Sequence, residues 1–253
     1  MNRKEILSAL KNKPGVSVLI VGGGINGIGT FRDLALNGVD VLLVEKSDFC
    51  SGASAASSHR VDSGLPDLED GEFRLVREAV RERNLLLQNA PHVVRPLPIT
   101  IPIFKRFSGL LNAPLKFLGM LDKPSERGSA AIKLGLTMYD SYTGKARTVP
   151  RHHFLSRKKS LEKWKYLSAK IISTAVYYDG AILQPERLGV ELVLDAEAEN
   201  PNAWALNYVS MVGGSDDTII LRDELTDVNY DVHPKLVINA AGPWIDFTNR
   251  KLG

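Results

Sequence analysis

The residues whose types and spacing could bind a ligand lie between positions 22 and 45. Gly22, Gly24 and Gly27 give the spacing Gly-x-Gly-x-x-Gly. In such a turn the first glycine allows a tight bend, the second lets the backbone approach a pyrophosphate, and the third lets the next helix pack closely on the preceding strand. Glu45 lies 23 residues after Gly22, where a carboxylate accepts hydrogen bonds from a ribose diol. The chemistry indicated is the binding of a dinucleotide.

These residues need a strand, a helix and a second strand to hold them, and the sequence predicts all three. The apolar, β-branched run 16–21 predicts a buried parallel strand. A helix is predicted over about 25–37, Gly38 ends it, and the run 39–45 predicts the second strand. Strand, glycines, helix, strand and acid in this order distinguish a dinucleotide site from a glycine-rich turn without a ligand. No Gly-Lys-Ser/Thr follows, which excludes a P-loop, but NAD and FAD share the pattern.

The composition is that of an ordinary globular protein, with 44% hydrophobic and 24% charged residues. A net charge of +3 is too small to indicate nucleic acid as a partner. The single cysteine, Cys50, excludes an internal disulfide and fits a reducing compartment. No apolar run reaches the ~18 residues that span a bilayer, so we expect a cytoplasmic protein. His152 and His153 are adjacent and no cysteine or acid completes a ligand set, so no metal is expected.

Longer segments of the chain resemble a known family. They are GGGINGIGTFRD, VLLVEKSDF, the serines at 51–58, EFRLVREAVRERN, APHVVRPLPITIPIF, YYDGAILQPERL and VINAAGPWIDFTNR. On these segments the chain is similar to the FAD-dependent glycerol-3-phosphate dehydrogenases of the D-amino-acid-oxidase-like flavoprotein superfamily. The resemblance implies a tightly bound FAD that takes a hydride from C2 of glycerol 3-phosphate, giving dihydroxyacetone phosphate. The electrons then pass to a quinone or to oxygen.

The resemblance also implies a set of cofactor-binding residues. They are Gly22, Gly23, Gly24, Ile25, Asn26 and Gly27 at the pyrophosphate, Glu45 at the ribose with Lys46 beside it, Ser51, Ser54, Ser57 and Ser58 on the flavin side, Val209 at the adenine, and Ala241 and Gly242 in the turn that returns to the cofactor. No catalytic residue is assigned.

The order of elements predicts an α/β fold with two parts. A Rossmann-like FAD-binding domain is expected from residues 14–70 and 180–253, and a partial α+β cap or substrate domain from residues 71–179. Within the cap the patterns predict helices over 72–90, 110–120 and 130–139 and a short strand around 99–104. The segment 104–123 places lysines among apolar residues. Packing against the cap is the favoured interpretation, and a peripheral helix on the inner face of a membrane is the alternative.

The sequence departs from the family after its serines. The family reads His-Gly-Gly, an apolar residue and Arg-Tyr-Leu, whereas here Asp62 replaces the His, Ser63 the first Gly, Pro66 the Arg and Asp67 the Tyr. That arginine belongs to the substrate side of the flavin, where a cation holds the anionic substrate. Family members also continue well beyond the strand that matches this chain's last one. We therefore expect oxidation by this truncated chain alone to be impaired or absent. The alternatives are a non-catalytic FAD-binding or dinucleotide-binding remnant and another oxidase of the same superfamily.

Overall fold

The computed structural model describes residues 1–65, 72–106, 129–142, 148–215 and 217–252. In chain order the elements are α1 (Arg3–Asn12), β1 (Gly15–Val21), α2 (Ile25–Leu36), β2 (Val41–Val44), β3 (Arg60–Val61), α3 (Phe73–Asn89), β4 (Val94–Ile103), α4 (Ser129–Tyr142), β5 (His153–Ser156), α5 (Arg157–Lys163), β6 (Ser173–Ile182), α6 (Pro185–Glu199), β7 (Ala203–Leu206), β8 (Val209–Ser215), β9 (Thr218–Asp223), β10 (Val228–Asn239), a 3-10 turn (Gly242–Trp244) and α7 (Ile245–Leu252). They fall into two compact units. The first unit comprises Met1–Ser58 and Gln184–Gly253, and the second comprises His59–Leu183.

The first unit is built on a sheet with strand order β7-β2-β1-β10-β9-β8. Neighbours from β7 to β10 are parallel, and β9 pairs antiparallel with both β10 and β8. Leu19 of β1 packs with α1 on one face, whereas Ile20 packs with Ile28 and Phe31 of α2 on the other. Because both faces are covered, the four successive residues 18–21 of β1 are all apolar. The predicted Rossmann-like α/β domain is confirmed.

Helix α1 lies before the predicted start of this domain, yet it is part of the first unit. Its Ile6 and Leu10 are buried in the same core as Leu19. Arg3 pairs with the carboxylate of Asp223 and donates to the carbonyl of Asn207. Burial opposes ionisation of Asp223, but hydrogen bonds from Thr226 and Arg3 outweigh it and lower the pKa of that carboxyl group. The packing and the ion pair make α1 part of the first unit, whereas the predicted FAD-binding domain starts at residue 14.

The second unit has a sheet in the order β3-β6-β4, with β5 also paired to β6. Strand β6 is continuous and pairs at its far end with β3, at Arg60↔Ala181 and Val61↔Gly180. These pairings explain why the chain divides after residues 58 and 183. The predicted boundaries, after residues 70 and 179, would cut through β6 and assign β3, with the two residues of β6 that pair with it, to the other domain.

Strand β4 is longer than the predicted short strand around residues 99–104. Its prolines, Pro96, Pro98 and Pro102, occupy alternate positions, so the missing N–H groups all belong to the same side of the strand. β4 is fully paired with β6 along its other side. Prolines are tolerated where the N–H side does not face a partner strand, so they shorten neither β4 nor its pairing.

The predicted helices over 72–90 and 130–139 correspond to α3 and α4. The predicted helix over 110–120 lies outside the described residues, as do positions 107–123 of the segment considered for a membrane surface. Within the residues that the structure describes, no helix has the length and apolar character needed to cross a bilayer.

A network of buried charges joins α3, α4 and β6 in the second unit. The side chains of Arg83 and Asp179 are both fully buried. Arg83 donates to the Tyr139 hydroxyl at 2.5 Å and to the Tyr178 carbonyl at 2.8 Å. The Tyr139 hydroxyl donates to Asp179 Oδ1 at 2.6 Å, and its burial raises the pKa of Tyr139. The other Asp179 oxygen, Oδ2, lacks a hydrogen bond, although Arg60 Nε lies 3.4 Å from it.

Candidate functional site

A cavity of about 440 Å³ lies in the first unit, where its parallel strands end. Val21 ends β1, Val44 ends β2, Ala240 follows β10 and Val209 begins β8, and all four line the cavity. Open α/β sheets bind their ligands beyond the carboxyl ends of the strands. The volume is also within the range of small-molecule sites, about 300–1,000 Å³.

The turn between β1 and α2 is closed tightly by glycine. Gly22 has a φ of +119°, a conformation that side-chain-bearing residues rarely adopt. A Cβ on Gly22 would overlap the Ala240 carbonyl oxygen, and a Cβ on Gly27 would overlap the carbonyl oxygen of Gly22. The first and last glycines of the motif therefore allow backbone to pack on backbone. Gly27 does not itself line the cavity.

The two middle glycines differ from each other. Gly24 lines the cavity, and a Cβ there would meet only Ser54 Oγ, at 3.3 Å, among the described residues other than its chain neighbours. The backbone at Gly24 is thus open to a ligand. A Cβ on Gly23 would instead collide with the side chains of Glu45 and Phe49. Gly23 therefore supports the position of Glu45 and is not among the residues that line the cavity.

The first turn of α2 directs its amides to the same place. Gly24 is the N-cap of α2 without a side-chain cap, and Ile25 and Asn26 line the cavity. The Ile25 N–H donates to Ser54 Oγ at 2.9 Å. The first N–H groups of a helix lack partners within the helix and carry a partial positive charge. This end of α2 therefore favours an anion such as a phosphate.

Glu45 is held rigidly at the edge of the cavity. One carboxylate oxygen accepts from the Gly23 N–H at 2.7 Å and the other accepts from the Ser47 N–H at 2.9 Å. Its backbone is fixed by hydrogen bonds with Leu206 and Val209, at 2.9 and 2.8 Å. Each carboxylate oxygen retains capacity for a further hydrogen bond, so Glu45 is preorganised to accept from hydroxyl groups of a ligand.

Eleven of the fifteen predicted site residues line the cavity. They are Gly22, Gly24, Ile25, Asn26, Glu45, Lys46, Ser51, Ser54, Val209, Ala241 and Gly242. Gly23 and Gly27 shape the turn beside it, as described above. Ser57 and Ser58 are exposed and do not line the cavity, so their predicted place on the flavin side stays a prediction. The Val209 N–H already donates to Glu45, which leaves the Val209 carbonyl for any backbone contact with a ligand.

Several residues near the end of the chain that line the cavity were not among the predicted site residues. Trp244, Phe247, Thr248 and Lys251 line the cavity from the 3-10 turn and α7. Lys251 Nζ donates to the Met211 carbonyl at 3.2 Å, so α7 lies against β8. The available signal was the short distance in sequence between Gly242, which was predicted to reach the cofactor, and the aromatic residues that follow it.

Cys50 lies close to this site but is suited to packing rather than to redox chemistry. Burial, together with the nearby carboxylates of Glu186, Glu45 and Asp48, raises the pKa of the Cys50 thiol to about 11. The group is therefore a thiol, not a thiolate, at neutral pH. Gly189 of α6 packs directly on its sulfur.

Two of the four departures from the family have defined contacts in the second unit. Asp62 pairs with Arg60 and accepts from the Gly64 N–H at 3.0 Å. Ser63 is buried and donates to Asp179 Oδ1 at 3.0 Å. The Asp62 carboxylate is therefore ion-paired with Arg60, and Ser63 supports the buried charge network. Pro66 and Asp67 lie outside the described residues.

The arrangement in the first unit fits a dinucleotide. Helix amides and an open backbone at Gly24 suit a diphosphate, and the fixed Glu45 carboxylate suits a ribose diol. These features alone do not distinguish NAD from FAD. Residues 17–253 match the family described as FAD dependent oxidoreductase. The chain belongs to the FAD-dependent oxidoreductase family. The prediction of FAD as the cofactor is confirmed by this membership.

Individual members of the FAD-dependent oxidoreductase family agree with the more specific resemblance. A glycerol-3-phosphate dehydrogenase of Synechocystis sp. is 37% identical over 90% of this chain and 39% of its own length. An aerobic glycerol-3-phosphate dehydrogenase of Staphylococcus haemolyticus is 31% identical over 99% of this chain and 42% of its own length. The crystal structure of the Bacillus halodurans glycerol-3-phosphate dehydrogenase with FAD has a TM-score of 0.66 and 26% identity, over 98% of this chain and 38% of that one. The chain thus spans about two fifths of the length of these relatives.

Proposed function

We propose that the protein is an FAD-dependent enzyme that oxidises glycerol 3-phosphate, and that the cavity of the first unit holds its FAD. The observation that carries the proposal is the meeting of the glycine turn, the start of α2 and the fixed Glu45 carboxylate around one cavity. The choice of substrate is supported by the glycerol-3-phosphate dehydrogenases that the chain resembles over nearly its whole length.

Each part of the cavity has a separate task in this proposal. Gly24 and the first amides of α2 bind the diphosphate, and Glu45 accepts hydrogen bonds from the ribose hydroxyls. Ser51 and Ser54 extend the polar lining toward the flavin side, with Ser57 and Ser58 following in the chain. The chemistry that FAD supplies when bound is acceptance of two electrons, as a hydride, from the alcohol carbon of the substrate.

The first test is the choice of nucleotide and the presence of turnover. We expect FAD, but not NAD, to raise the thermal unfolding temperature, because a ligand at 100 times its Kd stabilises a protein by about 2.7 kcal/mol. Reduction of an artificial dye with glycerol 3-phosphate, and with glycerol as control, then measures oxidation. We expect turnover by residues 1–253 alone to be low, because Pro66 and Asp67 stand where the family has arginine and tyrosine.

The results separate the proposal from its alternatives. Stabilisation by NAD and not by FAD would contradict the cofactor site. FAD binding without any dye reduction, even by a longer form of the protein, would favour the non-catalytic FAD-binding alternative. Dye reduction with an amino acid and not with glycerol 3-phosphate would favour another oxidase of the superfamily.

The second test concerns the ribose contact. Replacing Glu45 by alanine should weaken FAD binding by about 1–3 kcal/mol, because the ribose hydroxyls lose a buried acceptor. Isothermal titration calorimetry with FAD measures the change. Asp48→Ala is the matched control, since Asp48 is a carboxylate three residues away that does not line the cavity. Equal FAD affinities for the Glu45→Ala variant and the wild type would show that Glu45 stabilises the turn but does not bind the ligand.

A further inference from the structure

A lysine and a tryptophan form a cation–π pair in the wall of the cavity. Lys46 Nζ lies 4.6 Å from the centroid of the Trp244 ring, and both residues line the cavity. Lys46 follows β2 and Trp244 follows β10, the two strands that flank β1 in the sheet. The glycine turn follows β1 itself. The pair therefore links the two chain segments on either side of the turn that is proposed to bind the diphosphate.

The charges of the cavity wall favour an anionic ligand. Its charged residues are Glu45, Lys46 and Lys251. Both oxygens of Glu45 accept backbone N–H groups, and the Lys251 ammonium donates to the Met211 carbonyl. Among the residues that the structure describes, the Lys46 ammonium forms an ion pair with no carboxylate. The charge of Lys251 also acts on the Glu224 carboxylate, whose pKa it helps to lower, so Lys46 is the lining cation whose charge no carboxylate of the described residues shares.

The tryptophan ring restricts where that charge can be. A lysine side chain has much rotational freedom, and ordering it on a ligand costs free energy. An ammonium that already lies over an aromatic ring has lost part of this freedom before the ligand binds. The backbone of Gly52 packs close to the ring, since a Cβ there would lie 3.7 Å from it. Gly52, which also lines the cavity, thus supports the ring from the cavity side.

We propose that Lys46 and Trp244 act as one unit that selects nucleotides with a diphosphate over uncharged nucleosides. Trp244 is the positioning residue and Lys46 the cation that meets the phosphates. This inference rests on the proposed function, because it assumes that the cavity binds a dinucleotide. In this proposal Trp244 does more than close the cavity, because it positions the charge that selects the ligand.

A double-mutant cycle with ADP and adenosine as probes tests the pair. Lys46→Met keeps the aliphatic stem but removes the charge, and we expect it to weaken ADP binding on the order of tenfold. Trp244→Leu should weaken ADP binding by roughly two- to fivefold in the wild-type background and have no further effect in the Lys46→Met background. Neither change should alter adenosine binding. Lys46→Arg should retain most of the ADP affinity.

A second lysine–tryptophan pair provides the matched control. Lys163 Nζ lies 4.8 Å from the ring of Trp164, and neither residue lines the cavity. Lys163→Met and Trp164→Leu should leave ADP affinity unchanged. Trp244→Met, which also removes the aromatic ring but fills more of its space, replaces Trp244→Leu in the cycle if the leucine variant does not fold.

The outcomes distinguish this proposal from the proposed function. Suppose that the wild type binds FAD and ADP, and that the Lys46→Met variant binds ADP with wild-type affinity. This result would contradict the proposed role of the pair but would not contradict the FAD site. Additive losses of ADP affinity in the cycle, or equal losses of affinity for ADP and adenosine, would also contradict the proposed role of the pair. If the wild type binds neither FAD nor ADP, both proposals are wrong.

Discussion

Replacing Gly27 by alanine is expected to destabilise the first unit by about 3 kcal/mol and to abolish FAD binding. The new Cβ would overlap the carbonyl oxygen of Gly22 and lie 3.3 Å from the Ala240 Cβ. Gly22 cannot move away, because it already packs against the backbone of Ala240. Helix α2 must therefore shift from β1 and carry its first amides out of position. Urea denaturation and retention of FAD on gel filtration measure the two effects.

Gly29→Ala is the matched control for this change. Gly29 lies in the same helix, and within the part of the chain that the structure describes a Cβ there would meet no atom within 4 Å beyond the helix's own backbone and its chain neighbours. Alanine in an unobstructed helical position stabilises a protein by about 0.4–1 kcal/mol. The two glycine-to-alanine changes in one helix should thus have opposite signs. Wild-type stability and FAD affinity in the Gly27→Ala variant would show that the β1–α2 turn is looser than the structure indicates.

Replacing Arg83 by methionine is expected to destabilise the second unit by about 3–5 kcal/mol, as is typical when one partner of a buried ion pair is removed. Arg83 is fully buried, with Nη1 3.9 Å from Asp179 Oδ1. Methionine would fill much of the space but would leave the Asp179 carboxylate without this charge, and the Tyr178 carbonyl would keep only the longer hydrogen bond from the Tyr139 hydroxyl, at 3.3 Å. Thermal and urea unfolding of the variant measure the loss.

Two further variants show whether the effect comes from the buried charge. Arg81→Met alters an exposed arginine of the same helix and should change stability by less than about 0.5 kcal/mol. Arg83→Met combined with Asp179→Asn removes both charges, so its loss should be smaller than the sum of the two single losses. Strictly additive losses would contradict a direct interaction between the two charges.

The sequence alone determined the centre of the site, because the residues that form it lie close together in the chain. The glycine turn, α2, β2 and Glu45 occupy about 30 consecutive residues, and short connections in a strand–helix–strand unit leave few ways to arrange them. Each glycine of the Gly-x-Gly-x-x-Gly motif also lies where the backbone must turn tightly or approach another group closely, and the residue type itself indicates this. The α/β fold, the parallel strand β1 and the resemblance that indicated FAD could therefore be predicted from the amino-acid sequence.

Only the tertiary structure decided which distant segments complete the site. Lys46 and Trp244 are 198 residues apart in sequence, and no local pattern relates them. Likewise Arg83 has the helical spacing of the buried residues Val76, Val80 and Leu87, but this spacing does not reveal that its charge is buried beside Asp179 of β6. Such contacts depend on the pairing of strands far apart in the chain and on the space that remains between packed side chains. Sequence spacing fixes neither, so the cavity wall, the unit boundaries and the buried charges required the folded structure.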